Sequence, residues 1–165
     1  MQSSPASRIV PEAFYGVYEW FLRRPRLHFA SPATIYDAMI DRRQSRILAM
    51  QFLCQIEGVG QEVLSQLDEF LADESEDVGV REYARDLVTD AWRNNTAIDE
   101  RIQAVAVRWD VKRMTTVDRN ILRVAVCEMV HRSTVPPNVV INESIEIGKL
   151  FGTAESGAFI NGVLD

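Results

Sequence analysis

The chain has 165 residues, the length of one domain, and its 47% hydrophobic and 25% charged content is that of a folded globular protein rather than a disordered one. Two cysteines (Cys54, Cys127) and two histidines (His28, His131) are too few for a disulfide framework or a Cys/His metal cluster, so neither metal nor cofactor is expected. No apolar run approaches the roughly 20 residues of a membrane span, and the N-terminus lacks a signal-peptide layout; a cytoplasmic protein with no membrane partner is expected. The net charge of −6 hides an asymmetry. Residues 1–46 hold seven arginines against four acids, a local +3, which leaves −9 for the rest. Local field governs nucleic-acid binding, so a basic end on an acidic body is compatible with an RNA partner.

The first forty residues hold seven of the fourteen aromatics and four of the six prolines. Phe14, Val17, Tyr18 and Phe21 fall at helical spacing, and Pro25 ends that pattern. Such a basic, aromatic stretch can stack on single-stranded RNA or pack on the domain or a second copy. Met39-Ile40-Asp41-Arg42-Arg43 would also be a natural beginning, leaving 1–38 as an upstream extension; the expected division is an aromatic, basic N-terminal extension over 1–40 and a domain over 41–165.

From Asp41 the pattern is helix after helix. Asp41 is placed to cap a helix over Arg42 to Glu57, with Ile47, Leu48, Phe52, Leu53 and Ile56 as its apolar stripe, broken by Gly58-Val59-Gly60. Val63, Leu64, Leu67, Phe70 and Leu71 predict a second helix before the acidic loop 73–77. A third carries Tyr83, Leu87, Val88 and Trp92; a fourth carries Ile98, Ile102, Val105 and Val107. Thr115-Thr116 precedes a strongly apolar helix with Val117, Ile121, Leu122 and Met129. Val135-Pro136-Pro137 opens the next, and a short helix follows Ser156. Gly152 and Gly162 suit tight helix ends. Nothing alternates at period two for long, so the expected class is all-α with about seven helices.

Catalytic motifs are missing: there is no phosphate loop, Gly-x-Ser-x-Gly elbow or His-Glu-x-x-His, and no catalytic residue is expected. Both cysteines sit in apolar runs, as buried inert thiols do. Asp118 and Glu128 flank Arg119 and Arg123 and would tune a partner surface. Arg42, Arg43 and Arg46 crowd the first turns of the domain, where the helix dipole favours acids. Guanidiniums there suit forked bonds to phosphate oxygens, and equally a solvated face.

Three segments carry a resemblance. They are the arginine cluster; Trp109-Asp110-Val111-Lys112-Arg113-Met114 leading to Val117-Asp118-Arg119-Asn120-Ile121-Leu122-Arg123; and Val139-Val140-Ile141-Asn142-Glu143-Ser144-Ile145-Glu146 followed by Lys149-Leu150-Phe151-Gly152 and Phe159-Ile160-Asn161-Gly162-Val163-Leu164-Asp165. Together they resemble the NusB family over residues 41–165.

The resemblance implies a seven-helix domain of two packed halves. It also implies a transcription antitermination factor that binds boxA-type RNA with NusE, a small-subunit ribosomal protein, and acts on the RNA polymerase elongation complex. By position it makes Arg42, Arg43 and Arg46 the RNA-binding residues, with Arg23, Arg24 and Arg26 as possible supplements. Asp118, Phe151, Glu155 and Phe159 match the NusE-facing surface, and Cys54 falls where many relatives carry a tyrosine. Two alternatives stay open: the NusB-like domain of a ribosomal RNA cytosine methyltransferase, present as a fragment, and a self-associating module, since the family includes homodimers.

Overall fold

The structure, a computed structural model, describes the backbone of residues 35–165 and side chains from Arg42 onward. The helix expected around Phe14–Phe21 and the arginines at 23, 24 and 26 lie outside the described residues. Seven α-helices follow in order: α1 (Ile35–Val59), α2 (Leu67–Glu74), α3 (Val78–Arg93), α4 (Asn95–Val105), α5 (Thr116–His131), α6 (Pro137–Phe151) and α7 (Ser156–Leu164). Two 3-10 segments, Gln61–Gln66 and Val111–Arg113, complete the set, and no strand occurs among the described residues. None of these helices is long and apolar enough to cross a membrane.

Helix α1 starts earlier than expected. Residues 35–41 contain neither glycine nor proline, so nothing interrupts the helix, and Asp41 lies inside it rather than at its cap. It stops where Gly60 takes φ 127°, a conformation open to glycine, and donates its N–H to the Ile56 carbonyl at 2.9 Å. Gly60 offers no side-chain cap, and the next turn tightens into the 3-10 segment. The single second helix expected over Val63–Leu71 is therefore a 3-10 turn followed by α2, both burying the predicted residues Val63, Leu67 and Leu71.

The acidic loop also supplies a helix cap. Asp77 caps α3 by accepting from the Val80 N–H at 3.1 Å, and Arg81 donates to the Ser75 carbonyl at 2.9 Å. Helix α4 ends at Val105, so Val105 and Val107 leave the predicted stripe and stand exposed. Gln103 organises the loop behind it: its amide donates to the Trp109 carbonyl at 2.9 Å and accepts from the Val111 N–H at 3.0 Å. Thr115 caps α5 through Asp118 N–H at 3.1 Å, and Pro137 opens α6.

Two sets of ion pairs fix the layout. Arg46 of α1 meets Glu128 near the end of α5, while Glu57 of α1 meets Arg119 and Arg123 near its start. The two helices therefore run antiparallel. Helix α6 runs alongside α1 in the same direction, with Arg43 on Glu143 and with Met50 and Ile147 lining one small void. One continuous core joins α1–α4 to α5–α7, with Phe52, Leu71, Leu87, Ile102, Leu122 and Ile160 fully buried.

Gly152 closes α6 as expected, but because of close approach rather than left-handed backbone. A Cβ there would sit 2.8 Å from the Gly148 carbonyl oxygen and against the side chain of Ser156, which accepts from the Thr153 N–H at 2.8 Å. Gly162 lies exposed inside α7, with open space around it, and ends nothing. Gly152→Ala is predicted to cost about 1–3 kcal/mol in chemical denaturation at unchanged helix content. Gly162→Ala should be neutral or slightly stabilising, because helices favour alanine by about 1 kcal/mol. The reverse order would contradict this packing.

Candidate functional site

The arginine cluster divides by depth. Arg42 is exposed, its guanidinium 5.6 Å from the centroid of the Tyr83 ring, with no carboxylate partner among the described residues. Arg43 is partly exposed and forms a forked pair with Glu143, Nε to Oε2 at 2.6 Å and Nη2 to Oε1 at 2.7 Å. That pair raises its pKa further and, among the described residues, uses two of a guanidinium's five N–H donors. Arg46 is only 2% exposed and makes the same fork with Glu128 at 2.6 and 2.7 Å. Glu128 is fully buried and also accepts from the Tyr83 hydroxyl at 2.6 Å. Burial first, and then the Glu128 carboxylate, push the Tyr83 phenol above its ordinary range, so it stays a hydrogen-bond donor.

Helical spacing put Arg42 and Arg46 on one face, yet the two side chains meet different surroundings. The distinguishing groups are Glu128 and Glu143, on helices far away in sequence. Glu128 does not tune an exposed surface, because it is the buried counter-ion of Arg46.

The residues matched to a partner surface gather at the other end of α1. From Arg42 to Cys54 the helix rises about 18 Å. Cys54 is buried, with its thiol 3.5 Å from the Asn120 amide and 3.7 Å from the Thr116 carbonyl. Burial pushes this thiol up to about 12, so it is a neutral packing group at physiological pH. Cys127, also buried, is likewise pushed up to about 12. Asp118 is 6% exposed in the first turn of α5, and its Oδ1 is buried without a hydrogen-bond partner. The helix dipole favours a carboxylate there, but an unmet buried acceptor still carries a desolvation cost. Phe151 and Phe159 are half-buried against the core, and Glu155 is exposed beside Thr153.

One residue at this end had been noted only as part of a motif. Trp109 is 59% exposed and meets Phe159 edge to face, with ring centroids 5.6 Å apart. Val107, 83% exposed, is its neighbour in the loop. The available sequence signal was a tryptophan between charged Arg108 and Asp110, outside any apolar periodicity. Arg119 anchors the loop to α5, donating to the Val111 and Met114 carbonyls at 3.1 Å and to Glu57 Oε2 at 2.5 Å. Arg123 joins Glu57 to Asp99. No group of His, Cys, Asp and Glu side chains suited to a metal occurs among the described residues.

Removing one member of a buried ion pair strands the other, which costs about 3–5 kcal/mol. Glu128→Gln should therefore lower unfolding stability by that order. A triple variant, Arg46→Met, Glu128→Leu and Tyr83→Phe, should regain most of it because no buried polar group remains unmet. Urea denaturation of both proteins checks this, and a Glu128→Gln protein as stable as the parent would overturn the assignment.

Comparison with known proteins fits this arrangement. The model of the NusB family matches residues 43–165. The transcription antitermination protein NusB of Bdellovibrio bacteriovorus is 46% identical over 125 residues, covering 75% of this chain and 92% of that protein. Its namesake in Desulforapulum autotrophicum is 43% identical over 130 residues, covering 77% and 90%. Among solved structures, T. maritima NusB superposes with a TM-score of 0.65 at 34% identity, covering 75% of this chain and 87% of that one. A crystal structure of the antitermination factors NusB and NusE in complex with dsRNA gives 0.68 at 27% identity, covering 76% and 94%. With the family model spanning most of the chain and relatives matched over nearly their whole length, this protein belongs to the NusB family.

Proposed function

We propose that this protein is a transcription antitermination factor that binds boxA-type single-stranded RNA jointly with NusE. In this role it acts on the RNA polymerase elongation complex in the cytoplasm, during ribosomal RNA transcription. Relatives over 40% identical are named as transcription antitermination proteins, and a structure of similar fold holds NusB with NusE and RNA. The observation that carries the reading is the division of α1. Arg42, with no carboxylate partner among the described residues, and the partly exposed Arg43 present guanidiniums on one side, while an aromatic surface around Trp109 and Phe159 lies towards the other end.

In this reading Arg42 and the outer face of Arg43 contact phosphates, and Arg46, tied to Glu128, holds α1 in place without contacting a phosphate. Phosphate contacts position the strand, and splayed bases supply sequence choice. Trp109, Phe159 and Phe151 form the apolar centre of the NusE surface, with Glu155 at its rim. Asp118, nearly buried in the first turn of α5, belongs to this surface and underlies its contact with NusE. Cys54 lies under this surface and supports it through α5. NusE would extend the RNA-binding face, so each ligand should raise affinity for the other by the same factor.

Fluorescence anisotropy of a labelled boxA RNA against a scrambled one, with and without NusE, tests the reading. Preference for boxA that strengthens with NusE is expected; equal weak binding to both RNAs, unmoved by NusE, would refute it. Arg42→Gln should weaken binding and flatten the log–log salt dependence by roughly 0.7 for the lost phosphate contact. Trp109→Ala should leave RNA binding by the isolated protein unchanged and lower NusE affinity at least ~10-fold, the scale of an aromatic hot spot. Undiminished NusE affinity would remove Trp109 from the surface.

A further inference from the structure

Beside the arginines lies a cavity of about 190 Å³, between the start of α6 and the Arg42–Arg46 turn of α1. Val135, Pro136 and Val139 form its apolar wall, with Arg42, Arg46 and Glu143 around them. It is smaller than the roughly 300 Å³ at which pockets for drug-sized ligands begin, so it suits a single ring system rather than a whole nucleotide. Its walls combine flat apolar surface, a guanidinium and a carboxylate, and each has a use. Val139 and Pro136 can pack on the face of a planar ring. Arg42 has no ion-pair partner among the described residues and can stack on that ring or hold the adjoining phosphate. Each Glu143 oxygen accepts one bond from Arg43, and Oε2 also lies 3.9 Å from Arg46 Nη1; Oε1 keeps capacity for another bond, so the carboxylate can receive an N–H from a base edge.

We propose that this cavity is a nucleobase subsite: one unstacked base of the bound single strand inserts between Val139 and Arg42, with its N–H edge towards Glu143. The proposal rests on the RNA-binding reading above and adds where sequence is read on this chain. A strand whose phosphates follow Arg42 and Arg43 passes the mouth of the cavity, and single-stranded RNA is recognised by splaying bases into such sites. The arginines supply the sequence-independent part of the affinity, and the cavity supplies a position-dependent part. Arg46 and Glu128 keep one wall rigid, because neither can leave the other without stranding a buried charge.

The test is a boxA RNA series carrying one abasic nucleotide at each position in turn, titrated by anisotropy against the full-length protein and Val139→Trp, which fills the cavity. Val139→Glu, which places a second carboxylate beside Glu143, serves as an independent variant should the tryptophan perturb folding. Circular dichroism and thermal melting establish that the variants are folded. For the parent, one position should show an abasic penalty of at least ~5-fold, the low end for a stacked base. In either variant that penalty should fall below ~2-fold while the other positions keep theirs, and affinity for the abasic RNA at that position should match the parent's. The same abasic profile in parent and variants would overturn the subsite while leaving RNA binding intact. Failure of the parent to distinguish boxA from scrambled RNA would overturn the RNA reading and the subsite together.

Discussion

The arrangement of this protein depends on the clamp between α1 and α5. Two guanidinium–carboxylate sets, Arg46 with Glu128 and Glu57 with Arg119 and Arg123, tie the helices together at two levels. Taking Arg46 and Glu128 out of water costs several kcal/mol for each ion, so the pair is a poor source of net stability. Its effect is on register. Sliding α1 by one residue rotates its side chains by about 100° and would leave Glu128 buried without a counter-ion. With α1 held in this way, Arg42 and Arg43 must face outward, and the Cys54 end must lie against the start of α5.

Two surfaces follow from one rigid helix. Towards the basic end, the Arg42 and Arg43 guanidiniums stand beside the cavity that Val139 and Glu143 also line. At the aromatic end, the loop around Trp109 is fastened by Gln103 and Arg119 before it meets Phe159. Sites on packed helices hold their geometry better than sites on loops, and the loop here gains order from hydrogen bonds to its own backbone. In the proposed function, coupling between RNA and a protein partner would need no conformational change, because a shared, extended face is enough for linkage.

Much of the helical layout was legible because amphipathic periodicity and capping chemistry are local. Thr115 and Pro137 announce helix starts by rules that need no tertiary information, whereas Asp77, in the sequence only part of an acidic loop, is seen as a cap only in the structure. The start of α1 was misplaced because Asp41 looks like a cap, and only the uninterrupted helix from Ile35 shows that it is interior. Trp109 was visible as a motif residue, but its exposure depends on how the loop folds on α7. The role of Arg46 could not be read locally, since its partner lies 82 positions away and Arg42 looks equivalent in the sequence. Family motifs pointed to the arginine cluster; burial is what separates its exposed cations from its structural one.

The central claim is that the arginines divide into ligands and anchor, and arginine side-chain NMR reads this division directly. With Arg42, Arg43 and Arg46 assigned through their Nε–H signals, boxA RNA should shift the Arg42 and Arg43 resonances. Arg46 should stay in place and exchange its Nε–H slowly with solvent, before and after RNA. A shift of Arg46 as large as that of Arg42, or rapid exchange of its Nε–H in the free protein, would contradict the account.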